Sequence, residues 1–294
     1  VLKSAIETPT VSESRGSKGS QPSVVGVPQG LAISNFLAEI ALLSIDAPFK
    51  ARSDIWFNRY VDDILILTPA GASKAVADEV IAALTALGLT PHPPGASGSK
   101  SKIAPLTEPF TFLGYEIAGG SINIRRESVL RFESSLASIF TGYRHRLLRA
   151  TSPSEKLAAI DLCRWRLNLR ITGCVFEGRR LGWVFYFSQI TATDRLRAVN
   201  RTIEVLLRRF SLTGHIRPKS LIKTYYESKR KNKLSHAYIP NFDTMSVLEQ
   251  RKILSLLLGA TRIAKLSDKR VSELFRMRIS AAVRELEADL SGAS

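Results

Sequence analysis

Two adjacent carboxylates, in Tyr60-Val61-Asp62-Asp63, are the sharpest chemical feature of the sequence. Apolar runs flank them, Ile55-Trp56-Phe57 before and Ile64-Leu65-Ile66 after. These runs predict two strands, Trp56 to Tyr60 and Ile64 to Leu67, joined through Val61-Asp62-Asp63 as a hairpin. Apolar anchoring on both sides holds such a tip rigidly, as a metal site requires. Mg²⁺ takes hard oxygen ligands and keeps several waters, so one or two carboxylates plus substrate phosphates complete its shell. In phosphoryl transfer two such ions, about 3.5–4 Å apart, clamp the attacking and leaving oxygens. Side chains alternate along extended chain. Asp62 is therefore read as the main ligand and Asp63 as its support. Taken alone, Asp-Asp in a hairpin is also ordinary turn chemistry, so the surrounding elements have to decide.

Those elements read as α+β. Ser12 to Ser23 is a turn-rich loop, and Val24-Val25-Gly26-Val27 is a short strand ended by Pro28. Ser34 or Asn35 is expected to cap a helix running from Phe36 through Leu43. Lys74 to Leu87 has apolar residues at helical spacing, with Gly88 as its stop. A loop rich in Pro, Gly and Ser spans Pro91 to Ser101. Phe110 to Ile117 and Ser121 to Ile124 then predict a second hairpin turning at Gly119-Gly120. From Arg125 the character changes to long basic helices, expected over 128–148, 154–169, 194–210, 218–231, 246–258 and 267–290. A stretch rich in Gly and aromatics, Gly178 to Phe187, interrupts them. The expected organisation is a loop over 1–24, an α+β domain over 25–124, a basic helical domain over 125–238 and a helical extension over 239–294.

Composition narrows the function. With 42 Lys and Arg against 26 Asp and Glu, the 294-residue chain carries a net charge of +16. Such an excess points to a polyanion, with nucleic acid as the first candidate. A hydrophobic content of 45% argues against wholesale disorder, and no apolar run approaches a membrane span. Two cysteines are too few for a disulfide scaffold or a Cys-based zinc site, and the expected location is the cytoplasm. His92, His145, His215 and His236 lack ligand spacing, and no Ser or Cys has visible His-Asp support.

Two further motifs bracket the carboxylates. Gly26-Val27-Pro28-Gln29-Gly30-Leu31-Ala32-Ile33-Ser34 precedes them and Phe112-Leu113-Gly114-Tyr115 follows. In order and spacing the three resemble motifs B, C and E of reverse transcriptases over residues 24 to 117, closest to bacterial ones of the group II intron, retron and defence-associated kind. The tail, with Gly182-Trp183-Val184-Phe185-Tyr186-Phe187-Ser188-Gln189 and Arg217-Pro218-Lys219-Ser220, looks most like the abortive-infection and "unknown group" branch.

The resemblance implies a right-hand polymerase palm over 25–124 and a basic helical thumb over 125–238. It implies that Tyr60, Asp62 and Asp63 form the metal-binding hairpin for two Mg²⁺ ions, with Mn²⁺ as a substitute. Pro28, Gln29 and Gly30 match the loop beside the incoming nucleotide and templating base. Gly30, lacking a Cβ, would allow close approach, and Gln29 both donates and accepts hydrogen bonds. Phe112, Leu113, Gly114 and Tyr115 match the primer grip. Lys100 matches the lysine facing the leaving pyrophosphate, with Lys102 as the alternative register.

One departure stands against these matches. Such polymerases need a further aspartate from a strand before the Pro-Gln-Gly loop, yet residues 1–27 contain no Asp and the first is Asp46. The chain is therefore expected to be the rear palm and thumb of a longer polymerase whose fingers lie upstream. Between Arg195 and Lys233, Lys and Arg far outnumber Glu204 and Glu227, and several recur at helical spacing beside Leu196, Ile203, Leu206 and Leu207. Arg195, Arg201, Arg208, Arg209 and Lys219 are expected to hold nucleic-acid backbone without reading sequence, and Tyr225, Tyr226 and Tyr238 to stack on bases. The expected function is RNA-directed DNA synthesis in bacterial antiphage defence, templated or not, from dNTPs on an RNA template or with a noncoding RNA. The competing reading is a catalytically silent palm-and-thumb module binding RNA in a larger assembly. Homo- or hetero-oligomers suit either, and a membrane suits neither.

Overall fold

Helices and small antiparallel sheets make up the computed structural model, which describes residues 32–230, 238–288 and 290. The chain divides into two compact units, Val1–Pro105 and Leu106–Ser294.

In the first unit, helix α1 (Ala32–Lys50) is followed by strands β1 (Trp56–Tyr60) and β2 (Asp63–Leu67) and helix α2 (Ser73–Ala86). The expected cap at Ser34 or Asn35 is not one. The backbone is already helical at Ala32, and Ser34 is buried inside the helix. The strands form an antiparallel pair in the register Phe57↔Ile66, Arg59↔Ile64 and Tyr60↔Asp63. Hence Asp63 belongs to the strand, and the turn is Val61-Asp62 alone. Strand alternation sends Phe57 and Arg59 inward while Trp56 and Tyr60 face out. Phe57 stacks on Phe49 of α1 at 5.5 Å between ring centroids, and with Ile45 and Val80 it makes a small core. Helix α2 ends in a Schellman arrangement, Leu89 N–H on Leu84 C=O and Gly88 N–H on Thr85 C=O, with Gly88 at φ +80.

The second unit opens with a three-stranded meander, β3 (Phe110–Phe112), β4 (Tyr115–Ala118) and β5 (Ser121–Ile124). The expected single strand over 110–117 is thus two strands, because Leu113 (φ +49) and Gly114 (φ +77) form a tight turn of their own. Then come α3 (Arg126–Arg149), α4 (Pro153–Thr172), β6 (Cys174–Phe176), β7 (Arg179–Leu181), α5 (Trp183–Tyr186), α6 (Asp194–Arg209), α7 (Leu221–Ser228), α8 (Val247–Leu258), α9 (Ala260–Ala264) and α10 (Asp268–Ala288). The helical region expected after Arg125 therefore includes a short hairpin, β6–β7. Ser152 and Glu155 form a capping box at the start of α4, as Ser246 and Glu249 do for α8.

The change from strands to helices falls at Ile124–Arg126, as the composition suggests, but the division between packing units does not. Ile124 is fully buried in the core formed by Phe132, Leu136, Phe140, Leu167 and Trp183, and Tyr115 packs against the same core. The meander therefore packs with the helices, and the break falls at Pro105. A second core, around Phe176, Phe242, Leu254, Phe275 and Ile279, joins β6 to α8 and α10.

Candidate active site

The turn that carries Asp62 starts from a conformational conflict. Its first residue, Val61, sits at φ +56, where a β-branched side chain is an outlier. Two-residue hairpins prefer Asn-Gly or Asp-Gly, which take such angles readily, and this turn contains neither pair. Tyr60, Val61 and Asp62 are exposed, whereas Asp63 is half-buried.

Arg59, on the inward face of β1, lies under this turn with 2% of its side chain exposed. Its Nε donates to Asp46 Oδ1 at 2.8 Å and its Nη2 to Asp46 Oδ2 at 2.9 Å. Glu39 accepts from Nη2 at 2.9 Å and from Nη1 at 3.1 Å. Nη1 also donates to the Val61 carbonyl at 2.6 Å. Both carboxylates come from α1, seven residues apart and so on one face of the helix. The hydrogen bonds from Arg59 hold the Asp46 carboxyl below its ordinary range, against a burial effect that pushes it up. None of Glu39, Asp46 and Arg59 was singled out for this role from the sequence. An arginine at an inward strand position, alternating with Phe57, was the available signal, because a buried guanidinium demands acidic partners.

The electrostatics at Asp63 run the other way. Its carboxyl is raised above the usual value by partial burial and then by the negative charge of Asp62, with Lys100 pulling it back down. Of Lys100 and Lys102, it is the exposed Lys100 whose charge is felt there. Two adjacent carboxylates under mutual repulsion, one of them exposed, suit a hard divalent cation that completes its shell with water and phosphate oxygens. Among the described residues no group of three or more His, Cys, Asp or Glu could hold a metal ion. Pro28, Gln29 and Gly30 lie outside the described residues, as do Lys231, Lys233 and His236.

In the second unit, the Leu113-Gly114 turn is braced by neighbours. Arg125 N–H donates to Gly114 C=O at 2.8 Å, and the Tyr186 hydroxyl donates to Leu113 C=O at 3.3 Å. The Tyr115 hydroxyl donates in return to Tyr186 C=O at 2.6 Å, and its ring meets Phe187 edge-on at 5.3 Å. Burial pushes the Tyr115 phenol up to about 12. The aromatic stretch that looked like a branch signature thus has a structural task here. Gly182, which begins it, crosses Gly173 so closely that a Cβ on Gly182 would stand 2.6 Å from Gly173 Cα.

The basic residues divide into two groups. On α6, Leu196, Val199, Ile203, Leu206 and Leu207 are buried, while Arg197, Arg201, Arg208 and Arg209 are exposed on the far side. Arg195 is committed elsewhere: it pairs with Glu116 and donates to the Ile124 carbonyl, fastening α6 to the meander. Lys219 is also an internal strut. It is half-buried, donates from Nζ to the Tyr238 carbonyl, and lies 5.0 Å from that ring's centroid. Tyr225 is 4% exposed with its hydroxyl on Ile190 C=O, and Tyr238 accepts from Ser220 N–H at 2.6 Å, so of the three tyrosines Tyr226 is the one with an open face.

Compared with known families, residues 2–117 match the model described as "Reverse transcriptase (RNA-dependent DNA polymerase)". The matched stretch spans nearly all of the first unit, including the Asp62–Asp63 turn, and the meander through Ile117 of β4. It points to RNA-directed DNA polymerase activity, a nucleotidyl transfer acting on nucleic acid and nucleotides, and reverse transcriptase domains generally use divalent metal ions. No curated protein and no solved structure matches the chain. Among the described residues no helix is long and apolar enough to cross a membrane.

Proposed function

We propose that the protein is an RNA-directed DNA polymerase whose nucleotidyl transfer is carried by Asp62 and Asp63. The observation that carries this reading is the pair of adjacent, mutually repelling carboxylates at a rigidly held turn, inside the stretch that matches the reverse transcriptase model. Asp62 would be the principal ligand of Mg²⁺ or Mn²⁺, Asp63 its support, and a bound ion would neutralise charge that builds on the transferring phosphate. Lys100 would face the departing pyrophosphate. Gln29 and Gly30 would contact the incoming nucleotide, and Phe112 to Tyr115 the primer end. The exposed cations of α6 would hold nucleic-acid backbone, with the basic helices of 125–238 acting as thumb to a palm over 25–124. The narrower reading, an antiphage role in bacteria, rests on the likeness of Gly182–Gln189 and Arg217–Ser220 alone.

A second reading is favoured by one observation: residues 1–27, before the Pro28-Gln29-Gly30 loop, contain no Asp to join Asp62 and Asp63. In that reading the chain is a catalytically silent RNA-binding module. Primer extension separates the two. With RNA template, DNA primer, labelled dNTPs and Mg²⁺, wild-type protein should incorporate nucleotide, and Asp62→Asn should abolish it while remaining folded. Equal incorporation by Asp62→Asn defeats the polymerase reading, and no incorporation by wild type favours the silent module.

A further inference from the structure

We infer that Arg59 is a positioning residue for Asp62, holding the Val61-Asp62 turn in the conformation that presents the carboxylate to a metal ion. This rests on the polymerase reading above. A guanidinium has five N–H donors, and Arg59 uses all five: two on Asp46, two on Glu39 and one on the Val61 carbonyl. The first four fix the planar group rigidly to α1 and leave it no freedom to rotate. The fifth fixes the carbonyl of the one residue in this turn that holds a positive φ.

The turn is not self-supporting. Val61 has a β-branched side chain, and it is 43% exposed, so little packing holds it in place. The register Tyr60↔Asp63 leaves only two residues to reverse the chain. Release of the carbonyl would let Val61 return to negative φ, rotating the peptide that joins it to Asp62 and displacing that carboxylate. Strained backbone of this kind persists only where its surroundings over-determine it, and here they include one arginine held by two acids of a single helix, of which Asp46 also pairs with Lys50.

A merely structural role would also make Arg59 important, so the test removes the charges together. The variant Arg59→Met/Asp46→Asn/Glu39→Gln leaves no uncompensated buried charge, and such replacements of buried ion clusters commonly preserve folding. Mn²⁺ binding to the full-length protein, followed by electron paramagnetic resonance without nucleotide, is the readout, with Asp62→Asn identifying the signal from the turn. The Mn²⁺ dissociation constant of the triple variant should rise about tenfold. Adding Val61→Asn to the triple variant should restore most of that loss, because Asn takes the left-handed conformation readily. Arg59→Lys, which keeps the buried charge but lacks the fork, is read in the same way should the triple variant not fold.

Unchanged Mn²⁺ affinity in a folded variant overturns the inference. So does a loss that Val61→Asn leaves unrestored, since Arg59 would then act through packing of α1. Wild-type protein that binds no Mn²⁺ at the turn overturns this role and leaves the polymerase reading to primer extension. Wild type that binds Mn²⁺ there but incorporates no nucleotide overturns only the polymerase reading.

Discussion

Two hairpin turns, Val61-Asp62 in the first unit and Leu113-Gly114 in the second, are each closed by two residues and each force a bulky side chain to positive φ. They are held by different devices. The first rests on a buried guanidinium chelated by two carboxylates. The second rests on neutral hydrogen bonds from Arg125 N–H and the Tyr186 hydroxyl, with aromatic packing around Tyr115. The first turn is exposed and charged, so apolar packing has little to grip, and an ionic anchor from below leaves its outer face free. The second, a half-buried Leu113 and a buried Gly114, has no charge of its own to place. Rigidity at an exposed acidic tip therefore comes from charge buried beneath it, and rigidity at a neutral tip comes from ordinary packing.

The sharpest way to separate the two devices is to cut each. Arg59→Met alone leaves the buried Asp46 with only the exposed Lys50 as partner and Glu39 open to solvent, and removal of the principal partner from a buried ion pair costs up to about 3–5 kcal/mol. Urea unfolding of the full-length protein should show that loss, and a cost below 1 kcal/mol would mean water already screens the cluster. Gly114→Ala, at φ +77 with its neighbour also positive, should cost about 1–2 kcal/mol in the same assay. Tyr186→Phe removes one neutral hydrogen bond and should cost about 1 kcal/mol. If Tyr186→Phe proved as damaging as Arg59→Met, the contrast between the two turns would fail.

The turns should also differ in their sensitivity to pH. Asp46 is held below its ordinary value of 3.8, first by the hydrogen bonds from Arg59. The folded protein thus binds fewer protons than the unfolded chain in this range, so the contribution is complete above the ordinary value and is lost as pH falls through the lower, folded one. Tyr115 is shifted from 10.0 to about 12 by burial. Its contribution is complete below pH 10 and is lost as pH rises through about 12. Acid unfolding should therefore be flattened by the neutral triple variant, and alkaline unfolding by Tyr115→Phe. Identical acid and alkaline limbs in wild type and variants would remove both attributions.

Local features were legible in the sequence and distant pairings were not. The Asp-Asp hairpin, the helix ended by Gly88 and the basic helices after Arg125 all announce themselves through neighbours in sequence. Glu39, Asp46 and Arg59 are separated by seven and thirteen residues, and their meeting depends on α1 folding back over β1. The Leu113-Gly114 turn was hidden because Phe, Leu and Tyr on either side read as one continuous strand. Its brace, Tyr186, stands some seventy residues further on. Charge counting was blind in the same way to which cations are occupied. Arg195 and Lys219 look like Arg201 and Arg208 in a composition, and only tertiary partners turn the first two inward.

Asp62→Cys tests most directly whether the Asp62 side chain is a metal ligand in nucleotidyl transfer. A thiolate is a poor partner for Mg²⁺ and a better one for softer ions. Primer extension by this variant should be lost with Mg²⁺ and recovered in part with Mn²⁺ or Cd²⁺, while wild type works with Mg²⁺. Extension by Asp62→Cys in Mg²⁺ at the wild-type rate, or loss that no thiophilic ion restores, would contradict that role.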